Sequence, residues 1–243
     1  MAFVNAIGLN LLCWFKMINM FRKWKIPPAL DFGWQMKTLT SAETNFTIDP
    51  DGVYKMTIAH DLIKGVTPDM LLWWFKNIGG TMTYQGKTYA KYRVWHPKDH
   101  IHWSLEKSKS RNDIGVGAHF RIVEAFGRNP KQLVDSTEVV EKLDKTGIRL
   151  VRRIAGIEVF SLEHQFIPAG QNTNYKSQMI VGTNHKLFKR IFNGYIRPFI
   201  FTEAMAKAWL LHNIEEVGNF EFFLPELYAE NTNKGQLKRL TQT

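Results

Sequence analysis

FTEAMAKAWLLHNIEEVGNFEF, residues Phe201 to Phe222, is the longest helical stretch in the sequence. Thr202 is a capping residue, and Met205, Ala208, Trp209, Leu211 and Ile214 recur at helical spacing. Leu224-Pro225 should close the helix, because proline has no N–H to give to it. The residues after Tyr228 are polar, and 231–243 read as a frayed tail. Upstream, the pattern is mostly β. Strand candidates are Val53–His60, Thr88–Trp95, Ala118–Phe126, Glu138–Leu143, Gly147–Ala155, Ile157–Phe166 and Tyr175–Val181, with Lys145-Thr146-Gly147 as a hairpin turn. One short helix is signalled earlier. Thr67-Pro68 is a cap followed by proline, Leu71–Ile78 the helix it opens, and Gly79-Gly80 its stop. The order predicts an α+β fold, an antiparallel sheet packed on one long C-terminal helix, with a cavity between them for a small apolar ligand.

Composition sets outer limits. The chain has 243 residues, 44% hydrophobic and 22% charged, enough for a large core without disulfides. Cys13 is the single cysteine, so any metal site must use His, Asp or Glu. One cysteine fits a reducing, cytoplasmic compartment. The net charge is +10, but the basic residues are dispersed and no nucleic-acid motif accompanies them, so no nucleic-acid partner is expected. Residues 1–28 stand apart. They are apolar but interrupted by Asn5, Asn10, Lys16 and Asn19, then basic at Arg22, Lys23 and Lys25, and they end at Ile26-Pro27-Pro28. Residues 1–25 read as a helix packed on the domain or on a second copy in a homodimer, as peripheral contact with a membrane surface, or as a membrane span. Residues 29–230 form the expected main domain.

Several groups of residues suit chemistry. His212 and Glu216 are four apart on the long helix, so both can reach one ion. Trp209, Ile214, Val217 and Phe220 make the surroundings apolar, and Glu215 is expected to face outward. Alone, the pair is a weak signal, since such spacing often arises by chance as a solvated ion pair. His96, His100 and His102 crowd the run WHPKDHIH; they read as metal ligands or as hydrogen-bonded histidines, and His100 and His102 share a face if that piece is extended. Strand alternation puts Glu124 with Phe120 and Ile122, facing inward. His164 is either an acid/base or a surface histidine. Two histidines with two carboxylates suit zinc, or iron or manganese.

The runs Tyr92–His100 and Gly156–Phe166, and above all WLLHNIEEVGNF over Trp209–Phe220, resemble the diacetylphloroglucinol hydrolase and phloretin hydrolase family. The resemblance spans about Gly65 to Tyr228. It implies a Bet v 1-like helix-grip fold and a zinc-type site of two His and two Glu. By position it assigns the ligands to His96, Glu124, His212 and Glu216, although His96 and Glu124 are closer together than in the family. His164 matches a histidine of proton transfer. Tyr175 matches a tyrosine that contacts a phenolic hydroxyl, with Tyr89 or Tyr92 as the second. Asp99 stands near the substrate, where some members carry Asn. The implied activity is hydrolysis of the carbon–carbon bond between an acyl group and a phenolic ring in a phenolic ketone. A carrier of hydrophobic ligands with the same fold is the alternative.

Overall fold

The computed structural model describes residues 24–108 and 114–240, with side chains as far as residue 232. Ten strands are present among the described residues: β1 Glu43–Ile48, β2 Tyr54–Ala59, β3 Thr81–Tyr84, β4 Lys87–Ala90, β5 His100–Lys107, β6 His119–Ala125, β7 Leu133–Asp144, β8 Gly147–Ile154, β9 Ile157–Ala169 and β10 Asn172–Val181. Strands β3 and β4 form a separate hairpin. The other eight make one antiparallel sheet in the order β1-β2-β10-β9-β8-β7-β6-β5. Against it lie α1 (Pro68–Lys76), α2 (Lys91–Trp95) and α3 (Glu203–Leu240). This is the expected α+β, Bet v 1-like arrangement, a large sheet gripping a long C-terminal helix. The apolar segment expected over residues 1–28 falls mostly on residues outside those described. No described helix is long and apolar enough to cross a membrane.

Helix α3 is buried on most sides in its middle. Asn213, Ile214, Val217, Asn219 and Phe220 all have 0–1% exposure. A helix wrapped by a sheet needs no polar face there. Trp74 of α1 packs edge-on to Phe220 and Phe223, while Met56, Ile58 and Met179 of the sheet join Trp209 and Ile214 in a second core cluster. Met70 N donates to Thr67 Oγ1, and Pro68 sits in the first turn of α1, as the sequence signals required. The β7–β8 hairpin turns where expected, with Thr146 N donating to Asp144 Oδ1. Gly147 is required at its corner, since a Cβ there would lie 2.0 Å from the carbonyl oxygen of His164.

The structure departs from the sequence expectation at several points. Lys91–Trp95 is helical, not the end of a strand. Its aromatic residues favour strands locally, but here Trp95 Nε1 donates to the Glu216 carbonyl and Asn219 Nδ2 to the Trp95 carbonyl, tying α2 to α3. Helix α3 does not stop at Leu224-Pro225 but continues through Pro225 to Leu240. Leu224 and Leu227, both buried, hold the turn around the proline, so tertiary packing offsets the missing hydrogen bond. Finally, the pairing of β5 with β6 shifts between His100 and His102. That bulge breaks the alternation. His100 is buried, whereas His102 stacks on Trp24 at 5.1 Å.

Candidate functional site

Three elements deliver polar side chains to one buried place. The α2–β5 junction carries His96, Asp99 and His100. Strand β6 carries Glu124. Helix α3 carries His212, Glu215 and Glu216. His96 and His100 have 0% exposure, His212 2% and Glu216 4%. Ionisable groups at that depth need partners.

The hydrogen bonds orient both inner imidazoles. His100 Nδ1 lies 2.8 Å from the Tyr92 carbonyl oxygen. A carbonyl can only accept, so Nδ1 carries the hydrogen and Nε2 keeps its lone pair in the neutral ring. His212 Nδ1 lies 3.1 Å from Asp99 Oδ2. Asp99 is itself fixed by the backbone N–H groups of Gly127 (2.8 Å) and Arg128 (3.1 Å). Both Nε2 atoms then face carboxylates. His100 Nε2 is 3.3 Å from Glu216 Oε2 and 3.4 Å from Glu124 Oε1. His212 Nε2 is 3.5 Å from Glu124 Oε2 and 3.9 Å from Glu216 Oε2. His100 Nε2 is buried and makes no hydrogen bond. Lone pairs of nitrogen and oxygen that confront one another at this range repel, and either a proton or a metal ion between them relieves the repulsion. Anchoring the distal imidazole nitrogen on an oxygen is how proteins orient metal-binding histidines.

Charges are strongly perturbed. Burial pulls His100 down to about 4, against the pull of Glu216. Burial also opposes the charged form of His212, but Glu124, Asp99 and Glu216 outweigh it and raise that ring to about 9. Burial pushes Glu124 up. It opposes ionisation of Glu216 too, yet His100 and His212 drive that carboxyl below its ordinary value. Burial resists ionisation of Asp99 as well, and His212 and the Gly127 N–H hold it low. Two carboxylates this close split in opposite directions because one charge disfavours the other.

His100, Glu124 and His212 form a possible metal-holding group by distance, and so do His96, Asp99 and His212. The geometry separates them. In the second group Asp99 faces the His212 nitrogen that carries the hydrogen. His96 departs from its expected place. Its Nδ1 accepts from Asp99 N at 3.2 Å, and its Nε2 lies 3.2 Å from Glu215 Oε2. No ion pair links His96 to Glu124 or Glu216. Its ring instead stacks on His212 at 4.5 Å. Glu215, expected to face outward, turns back to His96. At the bulged start of β5, His100 is the cross-strand neighbour of Glu124 and faces it.

The remaining candidates scatter. Tyr92 donates through Oη to Glu124 Oε1, and its ring stacks on His100 at 3.9 Å. Tyr89 packs edge-on to Phe32 in the β3–β4 hairpin, away from the cluster. Asp99 stands behind His212, not in the cavity lining. His164 does line the cavity, a space of about 170 Å³ with Glu124 and Glu216 at one end and Phe126, Phe160 and Trp209 among its apolar walls. His164 Nδ1 lies 2.9 Å from Ser177 Oγ, which lies 2.8 Å from His60 Nε2. Burial lowers His164 to about 4 and His60 to about 3, the latter helped by the charge of His164. Tyr175 lies behind His164, ring centroids 5.3 Å apart, with its buried Oη unbonded. Nothing along the chain signals His60, Ser177 or Asn213, whose Nδ2 donates to Glu216 Oε1 at 2.5 Å; their partners lie far away along the chain or on a helix face that periodicity reads as core.

The sequence model of the DAPG hydrolase PhiG domain matches residues 34–229. The chain belongs to the DAPG hydrolase family. That span holds every residue of the cluster, so this member of the family is a hydrolase whose buried His and Glu side chains meet inside the matched region. No curated protein matches the sequence. Among solved structures, a conserved protein of unknown function, EF2215 from Enterococcus faecalis, is similar with 12% identity and a TM-score of 0.40, covering 82% of this chain and 92% of its own. Protein Ms6760 from Mycobacterium smegmatis has 8% identity and a TM-score of 0.40, covering 73% and 94%. Ara h 8.0201 has 9% identity and a TM-score of 0.35, covering 67% and 96%.

Proposed function

We propose that this hydrolase is metal-dependent and cleaves the carbon–carbon bond between an acyl group and a phenolic ring, with His100, Glu124, His212 and Glu216 as the metal ligands. The observation that carries this reading is the pair of imidazoles whose Nδ1 atoms are both tied to oxygen while their Nε2 atoms face two carboxylates. The donor set suits zinc, with iron or manganese also compatible, and such an ion polarises an acyl carbonyl and makes hydroxide available near neutral pH.

The chain's own residues supply the rest. The apolar cavity takes the ring and excludes water. Tyr92 holds Glu124 by its hydroxyl and fixes the plane of His100 by stacking. His164 is the proton donor to the ring carbon that loses its acyl group. If Ser177 donates to His164 Nδ1, the His164 Nε2–H projects toward the cavity, and His60 donates to Ser177 from behind. Such a chain can resupply the proton delivered to the ring. A carrier of hydrophobic ligands would use the same cavity, but it would have no use for imidazole lone pairs aimed at buried carboxylates.

The test is metal analysis of purified wild type beside His212→Ala, with acid release from an acylated phloroglucinol measured on the same samples. Stoichiometric metal and turnover in wild type, both lost in the variant, are the expected result. Wild type without metal and without turnover overturns the reading in favour of the carrier.

A further inference from the structure

The cavity has a second polar end that the proposed chemistry does not use. Strand β7 sends Ser136 and Glu138 into it, and β8 adds Leu150 and Arg152. Glu138 is 3% exposed. Its Oε1 accepts from Ser136 Oγ, while its Oε2 is buried with no hydrogen-bond partner. A buried carboxyl oxygen left without a donor is destabilising, so it is retained where something else supplies one. Burial pushes this carboxyl up to about 7, against Ser136 and Arg152. Packing alone would be served better by an apolar side chain.

The distance between the two ends follows from strand register. Glu138 pairs with Phe120 and Val134 pairs with Glu124, so the two carboxyls are four residues apart along the sheet, on one inward face. Four residues of strand and one step between strands put the two Cα positions about 14 Å apart. A contact of about 3 Å at each end leaves about 8 Å between. That is room for one benzene ring carrying a carbonyl at one end and a para hydroxyl at the other.

We propose that Glu138, supported by Ser136, is a recognition subsite for a hydroxyl on the side of the substrate's ring remote from its acyl group. The phenolic O–H donates to Oε2, and the ring lies between the two carboxyl ends. The proposal rests on the reading of this cavity as the substrate site and names the feature of the substrate it selects.

The test uses two acetophenones with hydroxyls at both ortho positions, one carrying a para hydroxyl and one lacking it. Binding of each is measured by calorimetry to wild type, Glu138→Leu and Glu138→Gln, and cleavage is followed on the same protein. Wild type should prefer the para-hydroxylated compound by about tenfold to a hundredfold. The preference should collapse toward unity in Glu138→Leu and survive in large part in Glu138→Gln, whose amide oxygen still accepts. Unfolding monitored by circular dichroism confirms that each variant is folded. An unchanged preference in folded Glu138→Leu overturns the proposal, and so does failure of both compounds to bind wild type. A preference that depends on Glu138 without any cleavage upholds the subsite while removing the hydrolytic reading.

Discussion

Exchanging His100 or His96 for alanine separates the two possible metal groups. In His100→Ala the cluster loses an Nε2 placed 3.3 and 3.4 Å from the two carboxylates. Glu124 and Glu216 are left with His212 alone. Residues that merely support a ligand are worth about 10–100-fold in metal affinity. Loss of a ligand should exceed that, so His100→Ala is expected to weaken metal binding by more than about 100-fold, or roughly 3 kcal/mol. His96→Ala leaves all four donors and both Nδ1 anchors in place. It removes the ring stacked on His212 at 4.5 Å and the acceptor for Asp99 N. An unsatisfied buried N–H costs about 1–3 kcal/mol of stability, so this variant should melt earlier yet hold metal within about tenfold of wild type. Affinity is read by competition against a chelating dye, and stability by thermal melting with and without added metal. If His96→Ala loses the metal and His100→Ala keeps it, the ion belongs with His96, Asp99 and His212, and the reasoning from imidazole orientation fails.

Other outcomes follow from the same geometry. Glu216→Gln should lose more metal than Glu215→Gln, because Glu216 faces both inner imidazoles while Glu215 faces only His96; equal metal content in the two variants counts against the ligand set. His164→Ala should lose about a hundredfold or more in turnover while keeping its metal, since His164 touches the cavity but no carboxylate of the cluster; loss of metal as well would place it among the ligands. Glu138 ionises near 7 in the fold and near 4.5 unfolded. Its neutral form is favoured in the fold, so that contribution is full below about pH 4.5 and is lost as pH rises through about 7, on the order of 3 kcal/mol. Glu138→Gln should therefore melt higher than wild type at about pH 8 and lose that advantage near pH 4. A constant difference across that range would show that Glu138 does not titrate as described.

Much of the architecture was legible along the chain because periodicity and turn chemistry are local. The stripe from Met205 to Ile214, the Thr67-Pro68 start of α1 and the Lys145–Gly147 turn each depend on neighbours within a few residues. Inward placement of Glu124 follows in the same way from alternation with Phe120 and Ile122, and the His212–Glu216 pair from one turn of helix. Tertiary structure decided what local rules leave degenerate. Tyr92 and Trp95 favour a strand by propensity, and only their burial, Tyr92 against His100 and Trp95 against Phe220 of α3, makes that segment helical. Pro225 signals a stop, and only the buried Leu224 and Leu227 carry the helix past it. That His100 rather than His96 faces Glu124 depends on the pairing of β5 with β6, across the sheet. The Ser177 bridge between His60 and His164 joins residues more than a hundred positions apart. Spacing along the chain can place a side chain on a face, but the direction of an imidazole lone pair is set by whichever oxygen the fold brings to its other nitrogen.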